Sequence, residues 1–218
     1  MLRTVTALLL GLGLLSTSLV AQAQATPKYV AGVHYEVMET QGVVNDPSKI
    51  EVREFFSYIC PHCFHLETRV QSWLKTKPDY VDFVRTPVTF LSHAEPLARA
   101  YYVEQVLGVT GKLHEAVFNA IHVDHEPLFD EEALADFFAK HGVDKDKFDQ
   151  LYDSFGVSTK LREADAMARD YRIQGVPSLV VAGKYLVLRK HLSSNEEMFD
   201  VVDFLVNKLE KERKGGGN

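Results

Sequence analysis

The sequence predicts an α/β domain interrupted by a helical insertion, and three observations carry that reading. Strand-like runs flank a helix between His34 and Phe90, and helical signal alone fills Ala94 to Asp170. Strand signal returns after Gly175, ahead of one last amphipathic helix. The order is strands around a helix, then helices, then ββα, with no internal repeat.

In the first stretch HYEVM (34–38), VREFF (52–56) and VDFVRTPVTF (81–90) read as strands. VREFF alternates, with Val52, Glu54 and Phe56 on one side and Arg53 and Phe55 on the other. After it, Cys63, Leu66, Val70 and Trp73-Leu74 recur at helical period. In the insertion, Thr110 is placed to cap a helix with Leu113, Ala116, Val117, Ala120 and Ile121 inward. Asp130 precedes a second helix carrying Leu134, Phe137 and Phe138, stopped by His141-Gly142. Phe148, Leu151 and Tyr152 mark a short one. Ser158 opens the next, with Leu161, Ala164, Ala168 and Tyr171 inward. SLVVAGKYLVL (178–188) reads as a hairpin turning at Ala182-Gly183-Lys184. Ser194-Asn195-Glu196-Glu197 is a capping box for a helix with Met198, Val201, Val202, Leu205 and Leu209 inward.

The first 25 residues have the layout of a secretory signal peptide. Arg3 is their only charge, an apolar run follows, and Ala21-Gln22-Ala23 supplies a cleavage site after Ala23. The strongly apolar part, Val5 to Val20, is shorter than the ~20 residues a spanning helix needs. Export to an oxidising compartment, the periplasm, is the expectation. Removing 1–23 takes 24 Lys and Arg to 23 against 30 Asp and Glu, a net of −7. Such a chain has no basic stripe to neutralise phosphates, which argues against nucleic acid as a partner. The run Lys208 to Lys214 alternates with Glu and reads as a frayed, solvated tail.

Cys60 and Cys63 are the only two cysteines. A bridge between them closes a tiny loop and adds little chain-entropy stabilisation, so the pair is poorly placed as a staple. Cys60 falls at the start of the predicted helix with Pro61 at its first position, where a missing N–H costs nothing. There the unpaired N–H groups and the positive end of the macrodipole favour a thiolate, and His62 adds a donor or cation from inside the ring. Redox exchange through Cys60, with Cys63 closing the ring, is the functional reading. A structural bridge, or a metal site using His62 or His65, stays open on the residues alone. Haem attachment does not, since Phe64 rather than His follows Cys63.

Glu54-Phe55-Phe56-Ser57, Cys60-Pro61-His62-Cys63 and Gly175-Val176-Pro177 before a strand together resemble the DsbA family, periplasmic thiol:disulfide oxidases of the thioredoxin-like superfamily. The resemblance covers nearly all of the chain after residue 23. It implies a thioredoxin fold in which residues 24–90 and 171–212 form the thioredoxin-like domain and 91–170 a helical domain inserted between its βαβ and ββα halves. Residues 213–218 would be a disordered tail. It makes Cys60 the surface-exposed, low-pKa nucleophile, Cys63 its buried partner in a redox-active disulfide, and His62 a residue that helps hold the thiolate. Pro177 would be a cis-proline whose loop offers the backbone of Val176 to an extended substrate by strand addition. By pattern alone Glu54 is a solvated strand residue, whereas the resemblance makes it a buried acid relaying protons for Cys63. Arg85 stands where the family often has a lysine. An arginine cannot give up its proton, but it can pair with Glu54. Ala182-Gly183 replaces a more usual Asn-Gly, which makes type I′ turn geometry less expected. His122 and His125 flank Asp124 and read as a solvated helix end.

The implied function is insertion of disulfides into reduced, unfolded exported proteins, with re-oxidation by a DsbB-like membrane quinone reductase. No cofactor or metal is implied, and a monomer is expected. A reductase or isomerase of the same fold, and a periplasmic metal-binding or chaperone-like protein, are the alternatives.

Overall fold

The computed structural model describes residues 27–216, so the expected signal peptide at 1–23 and the last two residues lie outside it. Five strands form one mixed sheet in the order β1-β5-β4-β2-β3. They are β1 (Tyr35–Val37), β2 (Ile50–Phe56), β3 (Val81–Pro87), β4 (Ser178–Val181) and β5 (Tyr185–Val187). Only β2 and β3 run parallel, and α1 (Pro61–Leu74) makes the crossover that a parallel pair requires. Five helices sit between β3 and β4: α2 (Ala94–Leu107), α3 (Thr110–His122), α4 (Glu131–Lys140), α5 (Lys145–Tyr152) and α6 (Phe155–Asp170). The chain then returns through the β4–β5 hairpin to α7 (Glu197–Gly215). This is the interrupted α/β order expected. No described helix is long and apolar enough to cross a membrane.

Parity along the strands sorts the core as far as Glu54, beyond which Phe56 joins the core shared with the inserted helices. Ile50, Val52, Leu179 and Val181 pack with Leu66, Val70 and Trp73 of α1 and with Val201, Val202 and Leu205 of α7. Phe55 and Val180 point the opposite way, into the core shared with α2 to α6. Full burial of a Leu or Val contributes about 1.5–3 kcal/mol each, so both faces are strongly held. All seven residues of β2 are therefore buried, including Glu51, Arg53 and Glu54. Arg53 is satisfied by Glu51 at 2.7 Å and by Thr86 Oγ1 at 2.7 Å.

Several local expectations change. Thr110 lies inside α3 and makes no side-chain cap. Ser154, not Ser158, caps α6 by accepting the Val157 N–H at 3.2 Å, which starts that helix at Phe155. The capping box is half made. Ser194 Oγ accepts the Glu197 N–H at 3.3 Å, while Glu197 takes the N–H of Ser193 at 2.7 Å, one residue early. Ala182 and Gly183 both have positive φ, 53° and 63°, the handedness a type I′ turn needs. The left-handed Ala182 is held by its N–H to Glu51 O at 2.7 Å and by Gln41 Nε2 to its own carbonyl at 3.0 Å. A Cβ on Gly183 would meet Gly42 O at 2.6 Å, so that position requires glycine. The stretch expected as a frayed tail is helical to Gly215. Lys208–Glu212 and Glu210–Lys214 pair along α7, and Arg213 donates to Ser48 O and Lys49 O at 3.2 and 2.8 Å.

Candidate active site

The dithiol sits where the two cores meet. Cys60 is the N-cap residue of α1, Pro61 is its first residue, and no acidic side chain occupies the first turn to oppose the helix terminus. The Cys60 carbonyl accepts the N–H groups of Cys63 and Phe64 at 3.0 and 3.1 Å, and its own N–H donates to Ser57 O at 3.0 Å. Both cysteines are free thiols. His62 is exposed between them.

Cys63 is buried as expected, but Cys60 is not the surface-exposed residue the resemblance implies: only 8% of it is accessible. The cover comes from the far half of the chain. The Val176–Pro177 bond is cis, and the Cys60 thiol donates to Val176 O at 3.5 Å. Val176 and Pro177 are themselves buried, so it is the loop backbone that meets the dithiol.

The two thiols are driven in opposite directions. A hydrogen bond from the Cys63 side chain lowers Cys60 most; burial opposes it, and the Cys63 and His62 backbone N–H groups and the His62 charge add to it. The result is about 6. Burial pushes Cys63 well up, and its bond to Cys60 and the negative charges of Glu54 and Cys60 push the same way.

Glu54 lies among the α1-side residues of β2, 2% exposed. Burial raises it to about 7, against the Arg85 cation and with help from the Glu67 charge. Strand register sets Arg85 of β3 opposite it. Arg85 Nε is 3.2 Å from Glu54 Oε2 but off the line of a hydrogen bond, so among the described residues both atoms lack a hydrogen-bond partner. Arg85 instead donates to Glu67 Oε1 at 2.8 Å, where Gln71 also donates at 2.6 Å. Burial opposes ionisation of Glu67, yet His114, Arg85 and Gln71 hold it down at about 2. Arg85 is the closer partner, since His114 Nε2 stands 3.5 Å away. The arginine is thus shared between an ionised Glu67 and an acid poised near neutrality.

Sequence reasoning missed a second buried group. Tyr58, two residues before Cys60, places its hydroxyl 2.9 and 3.0 Å from the Glu104 carboxyl oxygens and 2.7 Å from His114 Nδ1. Burial raises Glu104 well above the usual carboxylate range and lowers His114. A protonated Glu104 can donate to Tyr58, which frees the Tyr58 proton for His114. His122, expected at a solvated helix end, has Nε2 2.7 Å from Tyr58 O and stacks on Phe64 at 5.0 Å. These contacts tie α2 and α3 to the turn that presents Cys60. Glu67 carried a legible signal, an acid inside the apolar stripe of α1. Glu104 carried a weaker one, within AYYVEQVL.

Arg69 of α1 turns away from the dithiol to Asp200 of α7 at 3.4 Å. Among the described residues no group of three His, Cys, Asp or Glu side chains is placed to hold a metal ion.

The family described as DSBA-like thioredoxin domain matches residues 51–206. Thiol:disulfide interchange protein DsbA of Burkholderia cepacia is 38% identical over 215 residues, 98% of this chain and 100% of the relative. The protein of the same name from Pseudomonas aeruginosa is 37% identical over 191 residues, 88% of this chain and 90% of its own. The crystal structure of Pseudomonas aeruginosa DsbA superposes with a TM-score of 0.81 at 36% identity, covering 85% of this chain and 97% of that one. The oxidoreductase DsbA from Xylella fastidiosa gives 0.79 at 33% identity, over 84% and 98%. With the cysteine pair at a helix start, the cis-proline loop against it and likeness along the whole fold, the chain belongs to the DsbA family of thioredoxin-fold thiol:disulfide oxidoreductases.

Proposed function

We propose that the protein works in the oxidising direction, introducing disulfides into reduced, unfolded exported proteins in the periplasm. The observation that carries this reading is the opposite displacement of the two thiols, Cys60 down to about 6 and Cys63 well up. A pair whose reduced form holds a stabilised thiolate is a strong oxidant as the disulfide.

The steps follow from that asymmetry. A substrate thiolate attacks Cys60 Sγ, the Cys60–Cys63 bond breaks, and Cys63 leaves. Being a poor thiolate, it takes a proton, and Glu54 is the acid poised to give one. A second substrate thiolate attacks the substrate sulfur of the mixed disulfide, and Cys60 leaves as its stabilised thiolate. Two electrons pass from the substrate dithiol to the enzyme. His62 and the helix terminus stabilise the leaving Cys60. The backbone of Val176, held by Pro177, offers an edge to which an extended substrate adds as a strand.

Re-oxidation runs the same chemistry backwards against the disulfide of a DsbB-like membrane quinone reductase, with Glu54 taking the Cys63 proton. No cofactor is needed. Residues 1–23 act as a cleaved signal peptide, 24–90 and 171–212 carry the redox core, and 91–170 seal its inner face. The protein works as a monomer.

The test is a pair of single-cysteine variants mixed with a disulfide-linked peptide pair. In Cys63→Ser the Cys60 thiolate attacks one peptide sulfur, the other leaves as thiolate, and the mixed disulfide accumulates; Cys60→Ser forms none, and with glutathione disulfide as oxidant it oxidises no dithiol peptide. Turnover by Cys60→Ser would overturn the proposal.

A further inference from the structure

Three concavities run together past the cis-proline loop. One of 380 Å³ is bounded by Phe90 and Arg169, one of 550 Å³ by Gly175, Pro177 and Ser178, and one of 480 Å³ by Lys190 and Leu192. Arg172, Ile173 and Gln174 line both of the first two, and Arg189 lines both of the last two, so they form one furrow. Its central part touches the same Pro177 whose neighbour Val176 meets Cys60. The furrow therefore borders the loop along which a peptide would add at Val176.

The charge of this furrow runs against that of the chain. Four cations line it, Arg169, Arg172, Arg189 and Lys190, and only two acids, Asp165 and Glu36. The whole chain has 24 Lys and Arg against 30 Asp and Glu. Asp165 is occupied by the Thr89 hydroxyl at 2.5 Å, and Glu36 has Arg172 at 3.9 Å. Among the described residues Arg169, Arg189 and Lys190 form no ion pair, and all three are exposed. Phe90, 49% exposed, closes one end with an apolar surface.

Building on the oxidase reading, we propose that this furrow selects among substrates: it takes the flank of an extended, thiol-bearing polypeptide whose side chains near the cysteine are Asp or Glu. The cations are exposed and solvated, so each engaged carboxylate contributes modestly, about two- to fivefold in rate, and salt weakens it. The preference then acts on encounter and positioning rather than on the exchange step.

The experiment compares kcat/KM of the oxidised protein for dithiol peptides with three Glu, three Ser or three Lys on either side of the reactive cysteine, with dithiothreitol alongside. One Glu isomer should exceed its Lys counterpart by about tenfold or more at low salt, falling toward parity at about 0.5 M NaCl. In Arg189→Glu/Lys190→Glu the Glu-to-Lys ratio should drop below one, and as a ratio it does not depend on the fraction of protein folded. Equal rates for all peptides, or a ratio that survives the double variant, would overturn this inference alone. So would a concentration-dependent dimer in light scattering that is lost in the double variant, since a second copy would then fill the furrow. Failure to oxidise any dithiol, dithiothreitol included, would overturn the oxidase reading with it.

Discussion

Cys60 Sγ lies 3.5 Å from the carbonyl oxygen of Val176, a residue 116 positions later in the chain. The contact closes the α/β unit over its own reactive thiol. A thiol can donate to that carbonyl and a thiolate cannot, so the groups that hold Cys60 near 6 do so against this bond. The rate of alkylation by iodoacetamide should therefore follow a single titration with a midpoint near 6. The unperturbed thiol titrates near about 8.5. A bulky maleimide should discriminate against Cys60 relative to a small peptide thiol, because so little of the residue is accessible.

His62 and the backbone around it act on Cys60 by charge and hydrogen bonding. Replacing His62 with Leu should raise the Cys60 pKa and make the disulfide less oxidising. Measured at a pH well above both Cys60 values, each unit of that rise corresponds to about 30 mV of reduction potential. Both quantities can be read on one preparation, and the two shifts should agree.

Glu54 has a folded-state value of about 7 against an ordinary carboxylate value of 4.5. Between those values the native state binds more protons than the unfolded chain. This contribution to stability is fully present below the unfolded value and is lost as pH rises through about 7. The oxidised form has no free thiols to titrate, and in urea unfolding of that form the difference between wild type and Glu54→Gln removes the contributions of Glu104 and His114 common to both. Wild type should weaken across this window, and Glu54→Gln should lose that component of the slope. The same variant should slow release of Cys63 in single turnover.

Tyr58→Phe removes the hydroxyl that serves Glu104 and His114 at once, and leaves both without that partner. The cost should be about 1–3 kcal/mol in urea unfolding, with Cys60 chemistry affected only as far as the turn shifts. His122→Phe keeps a ring against Phe64 but drops the N–H to Tyr58 O, and should cost about 1 kcal/mol. Additive effects in the double variant would mean that the two contacts hold the turn independently.

How much of this could be read in advance depends on how local each feature is. The helix start at Cys60-Pro61 and the stripe Cys63, Leu66, Val70, Trp73 are local, and the structure keeps them. The burial of Glu54 is not, since alternation in β2 separates two faces without saying that α1 covers one and the insertion the other. The cover over Cys60 depends on a distant loop. The helical end of α7 was within reach, because Lys208, Glu212 and Glu210, Lys214 stand four apart in sequence. The anchoring of Arg213 on Ser48 and Lys49 was not. Ala182 adopts a conformation that its own propensity disfavours, and its hydrogen bonds, donated to Glu51 O and accepted from Gln41, make the difference.

The central claim is that Cys60 is a stabilised thiolate and its disulfide therefore an oxidant. The most direct measurement is the reduction potential of the Cys60–Cys63 pair, obtained by equilibration in glutathione buffers, acid quenching and counting of free thiols. A potential well above about −200 mV is predicted. A value near about −270 mV, where a thioredoxin-like reductant lies, would contradict the account.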